Sequence, residues 1–506
     1  MKLRPPPFLR CTRLSLCAVL VVFCSSFVLA QNTPNDEQVA TNAQLLKDMK
    51  TLAEKVASLE KRLSHYENDA VHRDTADASG RLKANPYSDA PAPQSTRFAS
   101  NGDLGVLPKE RDLFGLGYRS NAVLSIGAYG ELKFGGHEAP GGWKNGFDAQ
   151  RIVLLPTLQI TDSINFNAEL EFEHGGIAQD ADDKLTGAIE VEQAWIDFKF
   201  NDYFNWRAPG VDVVPFGFIN LFHEPTQFYS VNRPELYQGL IPSTWFEGST
   251  SVYGKIVNNL NYQFQINTGL EDFGGSGGVP ELGTSYEGGI SGTEALALAR
   301  TPIGDFNQTK NAPGFALRLS YTPPFAPGLS GSSSVFFTPN VTPRGAFGDD
   351  GHSLGHNSVT MLDTELRYRV PRTGLELRGE VVDVINGSPK NLRANNDGDP
   401  ENNLGKHLWG FSLEAAYHID LSDRIRNGWE IVPFYRYTYQ NFQTGGFSGI
   451  DENLPTGQGR RQFHTLGVAV FPTPKVVLKL DYQFALDDAP NSPRADHLLG
   501  AVGFFF

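Results

Sequence analysis

The sequence predicts an all-β fold, a closed antiparallel transmembrane β-barrel of about 16 strands, preceded by a short periplasmic coiled-coil helix. Three observations predict it. The 52 glycines, 32 prolines and 11% aromatic residues in a chain of 506 suit many strands punctuated by turns and disfavour large helical domains. From Asn121 onward apolar and polar residues alternate with period two. Short and long connections then take turns along the chain, a regularity with no purpose in a soluble sandwich. It is expected of a barrel with short periplasmic turns and long external loops.

The N-terminus gives the address. Lys2, Arg4, Arg10 and Arg13 precede the apolar run "LSLCAVLVVFCSSFVLA", which small Ala30 closes before polar "QNTPNDEQ", so residues 1–30 read as a cleaved secretory signal. All three cysteines, Cys11, Cys17 and Cys24, lie inside it. The mature chain is therefore expected to use no disulfide and no thiolate-bound metal. The formal charge is -14, and the signal removes basic residues only, which disfavours nucleic acid as a partner.

Residues 38–67 contain Leu45, Leu52, Leu59 and Tyr66 at seven-residue spacing, with Met49, Val56 and Leu63 interleaved four positions later. That is the seam of a coiled coil of roughly four heptads, expected in the periplasm and self-associating. Residues 68–119, with "NPYSDAPAPQSTR", show no sustained periodicity and read as a linker. Residues 120–506 form the barrel domain.

In "VVLKLDYQFAL" Val476, Leu478, Leu480, Tyr482, Phe484 and Leu486 share one face, and Lys479, Asp481 and Gln483 the other. In "INFNAELEFE" Ile164, Phe166, Ala168, Leu170 and Phe172 alternate with Asn165, Asn167, Glu169, Glu171 and Glu173. Similar runs at about 122–134, 150–160, 164–174, 188–200, 211–221, 250–257, 260–270, 313–321, 330–338, 359–370, 374–385, 407–419, 429–439, 462–471, 475–486 and 496–506 are the expected strands. "TDS" at Thr161, "NN" at Asn258, "PRT" at Pro371 and "PTP" at Pro472 are the tight turns, and 222–249, 271–312, 339–358, 386–406 and 440–461 are long polar connections. An all-β chain can span hydrocarbon only as a closed barrel, because every backbone N–H and C=O must be paired. "HLLGAVGFFF" is then the closing strand, with Phe504 and Phe506 facing lipid in an aromatic girdle.

The stretch "VPFGFINLFHEPTQFYSVNRPELYQGLIPSTWFEGSTSVYGKIVNNLNYQFQINTGLE" resembles the strand, loop and strand of the phosphate-selective porin O/P family, and the resemblance extends loosely from about Val123 to Phe506. It implies a trimeric sixteen-stranded porin of the bacterial outer membrane. The expected function is passive diffusion of small hydrophilic solutes or ions, with an anion preference, without cofactor or metal and without catalysis. The alternative is an envelope-anchoring barrel whose coiled coil grips the cell wall or a periplasmic partner.

Two sets of residues are candidates for the path. Loop 222–249, with Glu224, Arg233 and Glu235 among aromatics, is expected to fold into the lumen as general porins do at this place. The polar faces of early strands offer Glu131, Glu169, Glu171, Glu173 and Asp197, and later strands offer Arg318, Arg367, Arg369, Arg378 and Arg436. In a sixteen-stranded barrel Glu169 and Glu171 would face Arg378 across the channel as a transverse field. Lys133, Asp363, Glu365, Glu376 and Glu380 interrupt these faces, so local neutralisation is the competing expectation. Other motifs carry less. "GGSGG" at 274–278 lacks the strand-to-helix turn of a nucleophile elbow, "NNDGDPENN" around Asp397 and Asp399 lacks the spaced carboxylates of a calcium loop, and His352 and His356 have no helix to bring them together.

Overall fold

The computed structural model describes residues 123–139, 142–175, 187–242, 244–271, 296, 299, 312–342, 353, 355–389, 391, 405–421, 428–444, 460–487 and 496–506. The chain divides into two units, Met1–Tyr87 and Ser88–Phe506, and every described residue lies in the second. The signal, the coiled coil with Leu45, Leu52, Leu59 and Leu63, and the linker all lie outside the described residues.

Sixteen antiparallel strands close into one barrel. In order they are β1 Val123–Ala139, β2 Gly142–Thr161, β3 Ile164–Glu173, β4 Ile189–Lys199, β5 Asn205–Val213, β6 Phe246–Val257, β7 Leu260–Asn267 and β8 Gly314–Tyr321. There follow β9 Leu329–Thr338, β10 Val359–Arg369, β11 Leu375–Asn386, β12 His407–Tyr417, β13 Glu430–Thr444, β14 Arg460–Thr473, β15 Val476–Asp487 and β16 His497–Phe505. Ile419–Asp420 continues β12 past His418 and pairs with β13 like the rest of that strand. Closure is made by β16, which pairs with β15 on one side and β1 on the other, Tyr129 opposite Phe505 and His137 opposite His497. The last residue takes part, since Phe506 N donates to Ala128 O at 2.8 Å and Ala128 N to Phe506 O at 2.9 Å. The ladder thus leaves no open edge, as a spanning sheet requires.

The burial pattern is inverted relative to a water-soluble protein. Leu362, Leu366, Leu377, Val381, Leu413, Leu466 and Leu480 stand exposed on the outer face, while Glu131, Arg151, Asp363, Arg436 and Asp481 are buried inside. Phe200, Tyr203, Phe204, Tyr321, Phe325, Tyr417 and Phe506 are all exposed beside the short connections, and form the aromatic rim there. Phe504 and Phe506 stack at 6.1 Å within it.

One expected strand is displaced. The run at 211–221 is not a strand: β5 occupies Asn205–Val213, and the chain then leaves the wall. Pro209 within β5 sits where the register slips between Arg207 and Gly210, a bulge that tolerates it. Beyond Val213, Pro215 removes a donor and Gly217 takes φ 73, so the alternation of "VDVVPFGF" cannot continue as a ladder.

Residues 214–245 fold into the barrel. They hold a single helical turn at Phe218–Leu221 and a 3-10 turn at Glu235–Gln238. Asn220 clasps the neck: its Nδ2 donates to Val214 O at 2.9 Å, and its Oδ1 accepts from Trp245 N at 2.7 Å. Phe216, Leu236, Leu240, Ile241 and Trp245 then pack on Phe336, Met361, Val382, Val384, Leu408 and Phe442 of the inner wall near the long connections. Burying these large side chains, each worth about 1.5–3 kcal/mol, holds the loop down.

Candidate functional site

The loop divides the interior. Its apolar side packs on the inner wall near the long connections, and on the other side lies a cavity of about 820 Å³ that reaches the short-turn end, where Asn201, Asp202, Asn259 and Thr322 border it. Arg318, Arg367, Arg378 and Arg436 line this cavity together with Lys199, Arg207 and Lys255. Asp202, Asp212, Glu365, Glu380 and Glu414 are the acidic members of the same lining. Although the whole chain is acidic, this water-facing set leans basic.

The cavity's four arginines from β8, β10, β11 and β13 rest against carboxylates. On β10 and β11 Arg367 and Arg378 are directly opposite in register, an unfavourable like-charge pair. Glu376 resolves it by accepting from Arg367 Nε at 2.8 Å and from Arg378 Nε at 2.5 Å. Arg378 also donates to Gln227 O at 3.0 Å and lies 4.3 Å over the Tyr229 ring, so the loop leans on it. Arg318 pairs with Glu365 and donates to Ser334 Oγ at 3.1 Å. Arg369 meets Glu430 at 3.1 Å, and is outside the cavity lining.

The loop's main polar anchor is Glu235. It accepts from Arg436 Nη2 at 2.9 Å and Nε at 3.2 Å, from Thr438 Oγ1 at 2.7 Å, from Thr465 Oγ1 at 3.3 Å and from Gln483. Its carboxylate thus gathers side chains of β13, β14 and β15. Nearby, Val231 N donates to Asp481 at 2.5 Å, Lys479 Nζ to Ser230 O at 2.9 Å, and Tyr237 Oη to Glu380. The loop also touches β1, through Lys133 Nζ donating to Asn232 Oδ1 at 3.0 Å. Arg233 donates to Thr244 Oγ1 at 3.0 Å, and Glu224 is buried beside a second, small cavity.

The early-strand acids lie elsewhere. Glu131 stands 3.8 Å from both Lys133 and Lys479, Glu171 is 3.1 Å from Arg151, and Asp197 accepts from the Tyr253 hydroxyl at 2.7 Å. Glu169 accepts from Tyr129 Oη at 2.8 Å and from Gln193, and Glu173 is half-buried opposite Arg151 in register. None of these five lines the large cavity. The loop stands between Glu169, which His223 touches, and Arg378, which Gln227 and Tyr229 touch, and Glu131 and Glu171 have lysine or arginine partners close by.

Alternation pointed out Lys479, Asp481 and Glu376, but it missed Arg207 and Arg151. Arg207 Nη1 reaches Asp212 at 2.7 Å and its guanidinium lies 4.1 Å over Trp195. Placing β5 too late hid it, and the signal would have been Trp206 flanked by polar residues ahead of Pro209. Gly274–Gly278, Asp397, Asp399 and His352 lie outside the described residues.

A closed barrel, apolar outside, charged inside and crossed by the loop between its fifth and sixth strands, defines the class of transmembrane β-barrels. The more particular likeness is to porins: the family described as phosphate-selective porin O and P matches residues 134–277, which contain the whole inward loop. A protein of Aquifex aeolicus (strain VF5), described as uncharacterized, is 26% identical over 397 residues, 77% of this chain and 81% of that protein. Among solved structures, the outer membrane channel DcaP of Acinetobacter baumannii is 11% identical with a TM-score of 0.45, covering 76% of this chain and 97% of its own. The anion-selective porin from Comamonas acidovorans is 13% identical with a TM-score of 0.43, covering 76% of this chain and 100% of its own.

Proposed function

We propose that this chain is an outer-membrane porin through which small hydrophilic solutes and ions diffuse passively, with a preference for anions. The observation that carries it is the cavity under the inward loop, open to the short-turn end and lined by Arg318, Arg367, Arg378 and Arg436. Fixed positive charges along a narrow wet path raise the local concentration of anions. The loop 214–245 constricts the path, and Glu235 holds it in place. Homotrimers joined through barrel walls, with residues 38–67 as a periplasmic coiled coil, complete the reading.

Single-channel recording in planar bilayers tests it. Purified protein should give stepwise conductance carried mainly by anions; an inert barrel would favour an anchoring role. Cross-linking in mild detergent should give trimers, and monomers alone would exclude that part.

A further inference from the structure

We propose that Glu169, Glu192 and His223 form a site for a first-row divalent cation of the zinc class, which ties the start of the inward loop to the barrel wall. Glu169 comes from β3, Glu192 from β4, and His223 from the loop just beyond the Phe218–Leu221 turn. One ligand atom from each lies within 4.8 Å of the others, and the three residues are 2%, 2% and 3% exposed.

A bulge brings Glu192 in. Glu169 is opposite Gln193 and Leu170 opposite Val191, so Glu192 is the extra residue of β4. Bulges re-aim side chains in this way. Its Oε2 is buried and has no hydrogen-bond partner, which is costly, while the Glu171 carboxyl and the Arg151 and Arg233 guanidiniums also lie close to Glu192.

His223 is oriented as a ligand. Its Nδ1 is 3.0 Å from the carbonyl oxygen of Asn220, which can only accept, so Nδ1 carries a proton. Nε2 then faces Glu169 Oε1 at 3.3 Å. In the neutral ring that sets a lone pair against a carboxylate oxygen, and an ion between them removes the conflict. Nitrogen and oxygen ligands at about 2.0–2.1 Å from a tetrahedral ion stand roughly 3.3 Å apart.

The surroundings fit the same use. Tyr129 donates to Glu169 at 2.8 Å and sets its ring edge-on to His223 at 5.8 Å, which fixes both ligands from outside. Arg151 is committed to Glu171 at 3.1 Å. The small cavity of about 40 Å³ bordered by Glu169, His223 and Glu224 has room for a water as fourth ligand. One imidazole with two carboxylates suits zinc and its neighbours, whereas calcium and magnesium prefer oxygen ligands alone.

The test uses the full chain folded in detergent, stripped with a chelator and titrated with zinc chloride. One zinc per chain is expected, with Glu192→Gln and His223→Gln each weakening binding about tenfold or more. The zinc-edge X-ray absorption spectrum of the wild-type protein should show a single imidazole among oxygen ligands. Folding of the variants is checked by heat-dependent gel mobility, and where a variant does not fold the spectrum decides. No saturable binding by the wild type, unchanged affinity in both folded variants, or a spectrum with two or more imidazoles would overturn the site.

Discussion

The two walls that flank the inward loop both turn charge into the barrel, and they differ in what meets it. On the β8 to β13 side Arg318, Arg367, Arg378 and Arg436 each touch a carboxylate, and Arg367 and Arg378 keep a flank open to the cavity while the loop covers Arg436. On the β3 and β4 side Glu169, Glu171 and Asp197 are covered by Tyr129 and His223, by Arg151 and by Tyr253, away from that cavity. The sign of a strand's inner face therefore does not set the field that a solute meets. The loop does, by deciding which charges stay uncovered.

Detaching the loop from its arginine wall should have the largest effect. Glu235→Ala leaves Arg436, almost wholly buried, without its principal partner. Removing one member of a buried pair costs about 3–5 kcal/mol. Denaturant unfolding should show that loss, partly restored in Glu235→Gln/Arg436→Met. A change under about 1 kcal/mol would mean that Glu414, 3.2 Å from Arg436 Nη1, carries the pair instead.

Removing the loop segment itself comes next. Deletion of Glu224 to Gln238 should uncover both walls and raise single-channel conductance about twofold or more, since a pore is limited by its narrowest section. Unchanged conductance would place the constriction elsewhere.

Much of the wall was legible in the sequence, and the loop less so. Strands such as Val476–Asp487 and Ile164–Glu173 were readable because lipid on one side and water on the other force period two. The first hairpin was read too short: Gly142 to Gln150 of β2 is polar and mostly exposed, and alternation has nothing to act on where both faces meet water. β5 was misplaced because an apolar loop that packs inside a barrel carries the same residue types as a strand, as Val214, Phe216 and Phe218 show. At the site, inward direction was readable for Arg318, Arg367, Arg378 and Arg436, but their partners were not. Arg318 finds Glu365 two strands away, and Arg436 finds Glu235 about 200 positions earlier, through register and loop placement that a single sequence does not display. The extra residue at Glu192 was equally hidden, since only the β3–β4 register shows a bulge.

Passage of ions along the arginine wall below the loop is tested most directly by the reversal potential of single channels under a salt gradient. Wild-type channels should favour anions at 0.1 M salt, and Arg367→Gln/Arg378→Gln should shift the reversal potential towards cations. At 1 M the shift should be much smaller, because the screening length falls from about 10 Å to about 3 Å. A double variant that conducts with no shift at low salt would mean that Arg367 and Arg378 lie off the path that ions take.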